Sequence, residues 1–160
     1  MASDRAPSGS AEHRLASQPV IRSLLETIDT IIRQGKGELV EIQINAPGEM
    51  FLEFAGGVTE RRANPKMTAD WAWALCKAVS NVLGLGFSER NPVVWATLPG
   101  GHRFTAVMGQ AVRAGVAVTV RIRRHVALAL TDYAIDDATA AEIMGLVQGR
   151  QPFIVSGGTS

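Results

Sequence analysis

The sequence predicts an α+β domain in which an antiparallel sheet of about six strands packs against helices. Three observations lead to this fold class: an apolar pattern of helical period follows Pro19, segments of alternating apolar and polar residues lie between glycine-containing turns, and a second helical pattern follows Thr68. Of the 160 residues, 46% are apolar and 19% are charged, with a formal net charge of +1. This composition is typical of a globular protein and disfavours a disordered chain or one that binds nucleic acid by charge alone.

The first elements are a tail and a helix. Residues 1 to 17 are rich in Ser, Ala, Pro and charge and offer little to bury, so we expect a flexible tail. From Pro19, apolar side chains recur at helical spacing until Gly35 and Gly37 end the pattern. These side chains are Ile21, Leu24, Leu25, Ile28, Ile31 and Ile32.

An antiparallel meander of three strands should follow. Val40, Ile42 and Ile44 alternate with polar residues, which is the period of a half-buried strand. Pro47-Gly48 suits a type II turn, because proline presets φ and glycine accepts the positive φ that this turn requires. The return strands are predicted at Met50 to Phe54 and, after Gly56-Gly57, at Val58 to Arg61.

A second helix and three further strands complete the predicted domain. Thr68 is a suitable N-cap for the helix, and Gly84 ends it. The strands are predicted at Val93 to Leu98, His102 to Met108 and Val116 to Arg123, the first two joined by a tight hairpin at Pro99-Gly100-Gly101. In the last strand, alternation puts Arg121 and Arg123 on the face opposite the valines.

The C-terminal part predicts one more helix and a short strand. Thr139 and Glu142 have the spacing of a capping box, so the helix should run from there to about Gly149. Phe153-Ile154-Val155 then suits a short apolar strand, which ends in glycines.

Several kinds of chemistry are disfavoured. Cys76 is the single cysteine and cannot form an internal disulfide, which suits a reducing compartment. His13, His102 and His125 lack neighbouring Cys or His residues, so we expect no metal site. No apolar stretch reaches the roughly 20 residues of a membrane span, and residues 1 to 14 lack the apolar core of a signal peptide. We therefore expect a cytoplasmic protein.

Two groups of residues are candidates for binding phosphate. An apolar strand followed by Gly157, Gly158, Thr159 and Ser160 is how a phosphate-binding P-loop opens, although a flexible end would also explain these residues. Arg121, Arg123 and Arg124 lie close together, and Arg103 is expected on a neighbouring strand. Guanidinium groups bind phosphate through two parallel hydrogen bonds, but a solvated or salt-bridged sheet edge is the alternative.

Four segments in order resemble the secretion ATPase superfamily, in particular the traffic ATPases of type IV secretion and conjugative transfer, the TrbB-like branch. The segments are Glu41-Ile42-Gln43-Ile44-Asn45-Ala46-Pro47-Gly48, then Asn91-Pro92-Val93-Val94-Trp95-Ala96-Thr97-Leu98-Pro99-Gly100-Gly101-His102-Arg103, then Val118-Thr119-Val120-Arg121-Ile122-Arg123-Arg124, and Ile154-Val155-Ser156-Gly157-Gly158-Thr159-Ser160. They span nearly everything after the tail. Gly101 departs from the pattern, since an aspartate is common there in the family.

The resemblance implies a PAS-like N-terminal domain that forms one ring of a homo-hexamer, stacked on a ring of RecA-like ATPase domains. Residues 18–130 would be this domain, and 131–160 would be a linker, a helix and the first strand of a truncated RecA-like domain. Nucleotide would lie between the two domains, with Arg103 and Arg123 contacting its phosphates and Arg121 or Arg124 as additional contacts. Gly157, Gly158, Thr159 and Ser160 would begin the P-loop.

The resemblance also sets expectations for ligands and partners. The parent protein would use ATP and Mg²⁺, whereas the fragment would hold neither tightly and would be inactive alone, because no lysine follows Gly157. Partners would be further copies of the chain and other components of the secretion apparatus at the cytoplasmic face of the inner membrane. No sequence-specific contact with nucleic acid is expected.

Two other classes of function stay open at this point. The chain would also suit a stand-alone α+β ligand-binding or sensory module with a cleft between the sheet and its helices. A nucleic-acid-binding sheet based on Arg121, Arg123 and Arg124 is the third hypothesis, and the near-neutral net charge is poor support for it.

Overall fold

The structure is a computed structural model that describes residues 10–110, 112–124 and 129–157. The chain forms two compact units, Met1–Arg124 and His125–Ser160. The described elements of the first unit are α1 (Ala11–Ser17), α2 (Pro19–Gln34), β1 (Leu39–Ala46), β2 (Glu49–Phe54), β3 (Thr59–Ala63), α3 (Ala69–Leu83), β4 (Val93–Thr97), β5 (Arg103–Met108) and β6 (Val116–Arg121). The predicted boundary, between residues 130 and 131, differs from this division by six residues.

The six strands form one antiparallel sheet in the order β3-β2-β1-β6-β5-β4. Two sequential meanders, β1 to β3 and β4 to β6, thus lie side by side, and the pairing of β1 with β6 joins them. The predicted α+β fold class, with six strands packed against helices, is confirmed.

The two long helices, α2 and α3, begin and end at the residues that the sequence predicts. The Thr68 side chain accepts a hydrogen bond from the Trp71 N–H at 3.1 Å, and Gly84 ends α3 with a φ of +70°. Pro19 lies in the first turn of α2. The indole N–H of Trp71 also donates to the Leu24 carbonyl at 3.1 Å, which ties α3 to α2.

One face of the sheet carries the hydrophobic core. In β6 the three valines at 116, 118 and 120 are buried, whereas Arg121 is exposed, as strand alternation predicts. Phe104 on β5 and Ile42 on β1 both pair with Val120 and are fully buried. Helices α1, α2 and α3 contribute Leu15, Ile28 and Leu75 to the same cluster. The opposite face of β5 and β6 carries polar side chains.

The expectation of a flexible tail is wrong for residues 11 to 17, which form α1. The Ser10 side chain accepts a hydrogen bond from the His13 N–H at 3.2 Å and caps the helix, and Leu15 is fully buried in the core. Composition alone misses this helix, because a single leucine at the right position supplies the packing that the other residues lack.

The second unit contains a 3-10 turn (Leu130–Tyr133) and the helix α4 (Asp137–Gln148). The predicted cap, Thr139, is wrong by one turn: the Asp136 side chain accepts a hydrogen bond from the Thr139 N–H at 2.7 Å. That bond favours the carboxylate and lowers the pKa of Asp136. An aspartate just before the helix therefore outcompetes the threonine within it.

The short strand predicted at residues 153 to 155 is absent from the structure. Residues 151 to 157 have no regular secondary structure, and Ile154 and Val155 are 94% and 87% exposed. A strand forms only where a neighbouring strand satisfies its backbone groups, and the described residues of this unit supply none. In the described ranges, no helix is both long enough and apolar enough to cross a membrane.

Candidate anion-binding site

Two of the predicted arginines lie directly opposite each other on neighbouring strands. Arg103 begins β5 and Arg121 ends β6, and the two are paired positions in the antiparallel register. Paired positions project to the same face of a sheet. Both side chains are exposed on the face that the helices leave open. The expectation that Arg103 lies on a strand beside Arg121 is thus confirmed.

Arg123 joins these two side chains around one depression. The depression has a volume of about 550 Å³ and is lined by Gly101, Arg103, Arg121, Ile122 and Arg123. We call it the arginine cavity. Three arginines therefore line a space of the size that small ligands occupy in proteins.

The arginines of this cavity form no direct ion pair among the described residues. Among the described residues, the ion pairs are Arg61 with Glu49 and Arg62 with Glu60, and neither involves an arginine of the cavity. Glu41 on β1 lies at the position opposite Arg121 on β6, and its carboxylate accepts a hydrogen bond from the Gln43 side-chain amide at 2.7 Å. Like charges at paired strand positions destabilise a sheet. The pairing of Arg103 with Arg121 therefore costs folding free energy, and a bound anion would offset the repulsion between the two guanidinium groups.

The hairpin between β4 and β5 shapes the rim of the cavity. The Gly101 N–H donates to the Leu98 carbonyl at 3.0 Å, and Pro99 and Gly100 occupy the two central positions of this turn. Gly100 has a φ of +88°, as a type II turn requires at its third residue. The predicted hairpin at Pro99-Gly100-Gly101 is confirmed.

Gly101 leaves room for the side chain of Arg123. A Cβ atom on Gly101 would lie 2.6 Å from Cδ of Arg123 and 2.9 Å from its Nη1, and the φ of Gly101 is +77°. The positive φ of Gly101 favours glycine, and a Cβ atom there would displace the flexible end of the Arg123 side chain. The departure from the aspartate of the resembling family has a physical reason here, since the arginine lies where a side chain would be.

Two further residues hold the turn in place. His102 Nδ1 accepts a hydrogen bond from the Arg123 N–H at 3.0 Å, whereas the preceding N–H, of Ile122, still donates to the Val40 carbonyl of β1. This switch of partner explains why β6 ends at Arg121 and not at Arg123 as predicted. Glu12 of α1 accepts hydrogen bonds from the N–H groups of Gly100 and Gly101 at 3.0 and 3.1 Å.

Sequence reasoning missed Glu12 and His102 as contributors to this site. Glu12 was assigned to the tail, although a serine cap and an acidic first turn before Leu15 are helix signals that could have found it. His102 lies next to Arg103 in sequence, but nothing in the sequence indicates that its ring reaches Arg123.

The remaining candidates are placed elsewhere. Arg124 is exposed and does not line the arginine cavity. Gly157 is exposed at the end of the irregular segment of the second unit. Gly158, Thr159 and Ser160 lie outside the described residues. The predicted beginning of a P-loop at these four residues stays a prediction.

A second depression, of about 380 Å³, lies beside α2, β2 and β3. Its lining includes Glu26, Gln34, Arg62 and Lys66, so its side chains are of mixed charge. Arg62 is also paired with Glu60. This is the position of the cleft that a ligand-binding module would use, but its side chains do not converge on one kind of ligand.

Magnesium, which the resemblance implies for the parent protein, needs oxygen ligands. In residues 10–110, 112–124 and 129–157, no group of three or more His, Cys, Asp or Glu side chains is placed to hold a metal ion. The arginine cavity carries cationic donors and does not fit a metal.

Comparison with known proteins identifies the chain as a relative of the type IV secretion ATPases. No family model matches. The chain is 29% identical over 125 residues to the type IV secretion system protein VirB11 of Bartonella henselae, and 30% identical over 112 residues to the VirB11 protein of Bartonella quintana. These alignments cover 76% and 68% of the chain and 34% and 31% of the relatives. The chain thus spans about a third of the length of the curated relatives that it matches.

A solved structure shows the same relationship. The VirB11 ATPase from the type IV secretion system of Brucella suis, in complex with sulphate, matches with a TM-score of 0.65 and 25% identity. The match covers 88% of this chain and 44% of that one. The chain is homologous to the N-terminal portion of the VirB11 type IV secretion ATPases, and the resemblance drawn from its motifs is confirmed.

Proposed function

We propose that this chain is the N-terminal part of a hexameric ATPase that powers type IV secretion or conjugative transfer, and that its arginine cavity contacts the nucleotide phosphates. The observation that carries the proposal is that Arg103, Arg121 and Arg123 line one cavity and form no ion pair with any carboxylate of the described residues. Homology to VirB11 supplies the reaction class. A relative whose structure is a complex with sulphate supports an oxyanion as the ligand.

The chemistry of the cavity suits phosphate. A guanidinium group donates two parallel hydrogen bonds to an oxyanion and stays charged at every physiological pH. Three such groups around one space provide positive charge where negative charge develops on the transferred phosphoryl group. We assign Arg103 and Arg123 to the terminal phosphate, and Arg121 is the additional contact that its pairing with Arg103 supports.

The remaining parts of the proposal concern the parent protein. The second phosphate contact would be the P-loop that begins at Gly157, Gly158, Thr159 and Ser160, and ATP with Mg²⁺ would bind between this loop and the arginine cavity. The first unit would form one ring of a homo-hexamer. The assembly would work with other components of the secretion apparatus at the cytoplasmic face of the inner membrane.

Alanine variants of the arginines test the proposal. Inorganic phosphate and ATP are titrated into the 160-residue chain and followed by shifts of the backbone amide signals. Arg103→Ala and Arg123→Ala should each weaken binding by about tenfold or more, because each removes charge-assisted hydrogen bonds. In the full-length parent, the same two variants should lower ATP hydrolysis while the unfolding temperature stays unchanged, since both side chains are exposed.

Arg124→Ala is the matched control, because it removes the same charge one residue beyond Arg123 and outside the cavity. Equal losses in all three variants would indicate a general charge effect and would refute the assignment. Unchanged binding and turnover in Arg103→Ala and Arg123→Ala would leave the arginines as solvated surface residues. Salt-dependent binding of DNA that is lost equally with Arg121, Arg123 and Arg124 would instead favour the nucleic-acid hypothesis.

A further inference from the structure

The turn between β4 and β5 contains an anion site made of backbone, and a side chain of the same chain occupies it. Gly100 and Gly101 have φ values of +88° and +77°, and their N–H groups point to one oxygen, Oε1 of Glu12, at 3.0 and 3.1 Å. Successive N–H groups directed at one point form a concave nest for anions. The carboxylate comes from α1, 88 residues earlier than Gly100.

The carboxylate is held by its helix. Leu15 is fully buried and fixes α1 against the core, while Ser10 caps the same helix. The Glu12 side chain is partly buried and thus reaches the turn from a fixed base. The hydrogen bond from the Gly101 N–H to the Leu98 carbonyl closes this turn, but its two consecutive glycines leave the backbone easy to deform. The two hydrogen bonds to Glu12 add a second restraint on the turn.

The conformation of this turn decides where the arginines lie. Gly101 lies beneath the Arg123 side chain, and a Cβ atom on Gly101 would be 2.6 Å from Arg123 Cδ. His102, the next residue, accepts the hydrogen bond from the Arg123 N–H, and Arg103 follows it at the start of β5. A change at Gly100 or Gly101 would therefore move Arg103 and Arg123 relative to each other.

We infer that Glu12 is a positioning residue for the arginine cavity: its carboxylate fixes the β4–β5 turn and thereby places Arg103 and Arg123 around one anion. The inference rests on the proposed function, since it concerns anion binding in that cavity. Glu12 lines a different depression, with Ser10, His13 and Pro99, and is not among the residues of the arginine cavity.

The direction in which phosphate affinity changes on substitution of Glu12 distinguishes a positioning role from a purely electrostatic one. A carboxylate bound to Gly101, which lines the arginine cavity, repels an incoming anion, so removal of its charge alone would tighten the binding of phosphate. Loss of the turn geometry would weaken it. Glu12→Gln removes the charge but keeps an oxygen that can accept both hydrogen bonds, whereas Glu12→Ala removes both charge and acceptor.

The test uses inorganic phosphate and ATP as probes, with the 160-residue chain and its variants. Glu12→Ala should weaken the binding of both probes by about three- to tenfold. Glu12→Gln should bind as tightly as the unaltered chain or more tightly. Glu89→Gln, an exposed carboxylate on the loop before β4, is the charge-matched control and should change nothing. Equal or tighter binding by Glu12→Ala would overturn the inference, because the carboxylate would then only compete with the anion.

Amide hydrogen exchange provides a readout that does not depend on the proposed function. The Gly100 N–H should exchange at least tenfold faster in Glu12→Ala than in the unaltered chain, while the Gly101 N–H keeps the Leu98 carbonyl as an acceptor and the amides of β1 stay protected. Unchanged exchange would overturn the inference even if phosphate binds. If exchange is faster in Glu12→Ala but the unaltered chain binds neither phosphate nor ATP, the proposed function is refuted. Glu12 would then order the turn for a purely structural reason.

Discussion

Cys76 lies on the buried side of α3, and its thiol is fully enclosed by the core. Burial disfavours the thiolate and raises the pKa of Cys76 from its ordinary value of 9.0 to about 12. The thiolate is the nucleophile in cysteine chemistry, so this side chain is a structural residue and not a reactive one.

This shift predicts how stability depends on pH. The pKa of this thiol is higher in the folded state than in the unfolded state, so its contribution to folding stability is fully present at pH values below the unfolded-state pKa. That contribution is lost as the pH rises from about 9 towards about 12. Compared with Cys76→Ala, the unaltered chain should therefore lose up to about 1.4 kcal/mol of unfolding free energy per pH unit above about pH 9. Urea unfolding at a series of pH values measures it. Parallel dependence of the unfolding free energy on pH in the two proteins, or rapid alkylation of Cys76 in the folded chain, would contradict the burial of the thiol.

At the scale of elements, α1 is the part of the first unit where composition and structure disagree. Most of its residues are polar or small, yet it packs against α2, α3 and β4 through Leu15 and binds the β4–β5 turn through Glu12. Such a helix has no stability by itself and exists because its partners are present. It is therefore an integral element of the first unit rather than an appendage.

Substitution of Leu15 tests that role. Leu15→Ala should lower the free energy of unfolding by about 2–4 kcal/mol, because a fully buried leucine leaves a cavity when truncated. Arg14→Ala, an exposed position of the same helix, should change it by less than about 0.5 kcal/mol. If a chain without residues 1 to 17 unfolded at the same urea concentration as the unaltered chain, those residues would be a tail after all.

At the scale of the whole molecule, the second unit exposes apolar side chains that its own residues do not cover. Nothing in α4 is buried, and Met144, Val147, Ile154 and Val155 are all exposed. Apolar surface of this kind marks a region that packs against something else. It supports the proposal that residues 131–160 belong to a larger ATPase domain, and the share of the relatives that the chain covers, about a third, agrees with it.

We expect no measurable ATP turnover by the 160-residue chain. The 160 residues contain no P-loop lysine after Gly157 to contact the phosphates. Release of phosphate from ATP by the purified chain measures this, with Arg103→Ala as the reference for contaminating enzymes. Turnover that copurifies with the chain and is lost in the variant would contradict the expectation.

The sequence alone determined the fold class, the positions of the six strands and the two long helices, and the polar face that carries Arg103 and Arg121. These features follow from local periodicity, from turn residues such as Gly48 and Gly100, and from the caps of α3, all of which act over a few residues. The family resemblance likewise depended on short motifs in order.

Only the tertiary structure decided which arginines meet and what holds them. Arg103 and Arg123 line one cavity and Arg124 does not, and the Arg123 N–H is held by His102 instead of by a neighbouring strand. Glu12 reaches the turn from 88 residues away in the chain, and the strand expected at residues 153 to 155 does not form without a partner. Such contacts depend on packing between distant segments, and the local chemistry of a sequence carries no information about which segments will meet.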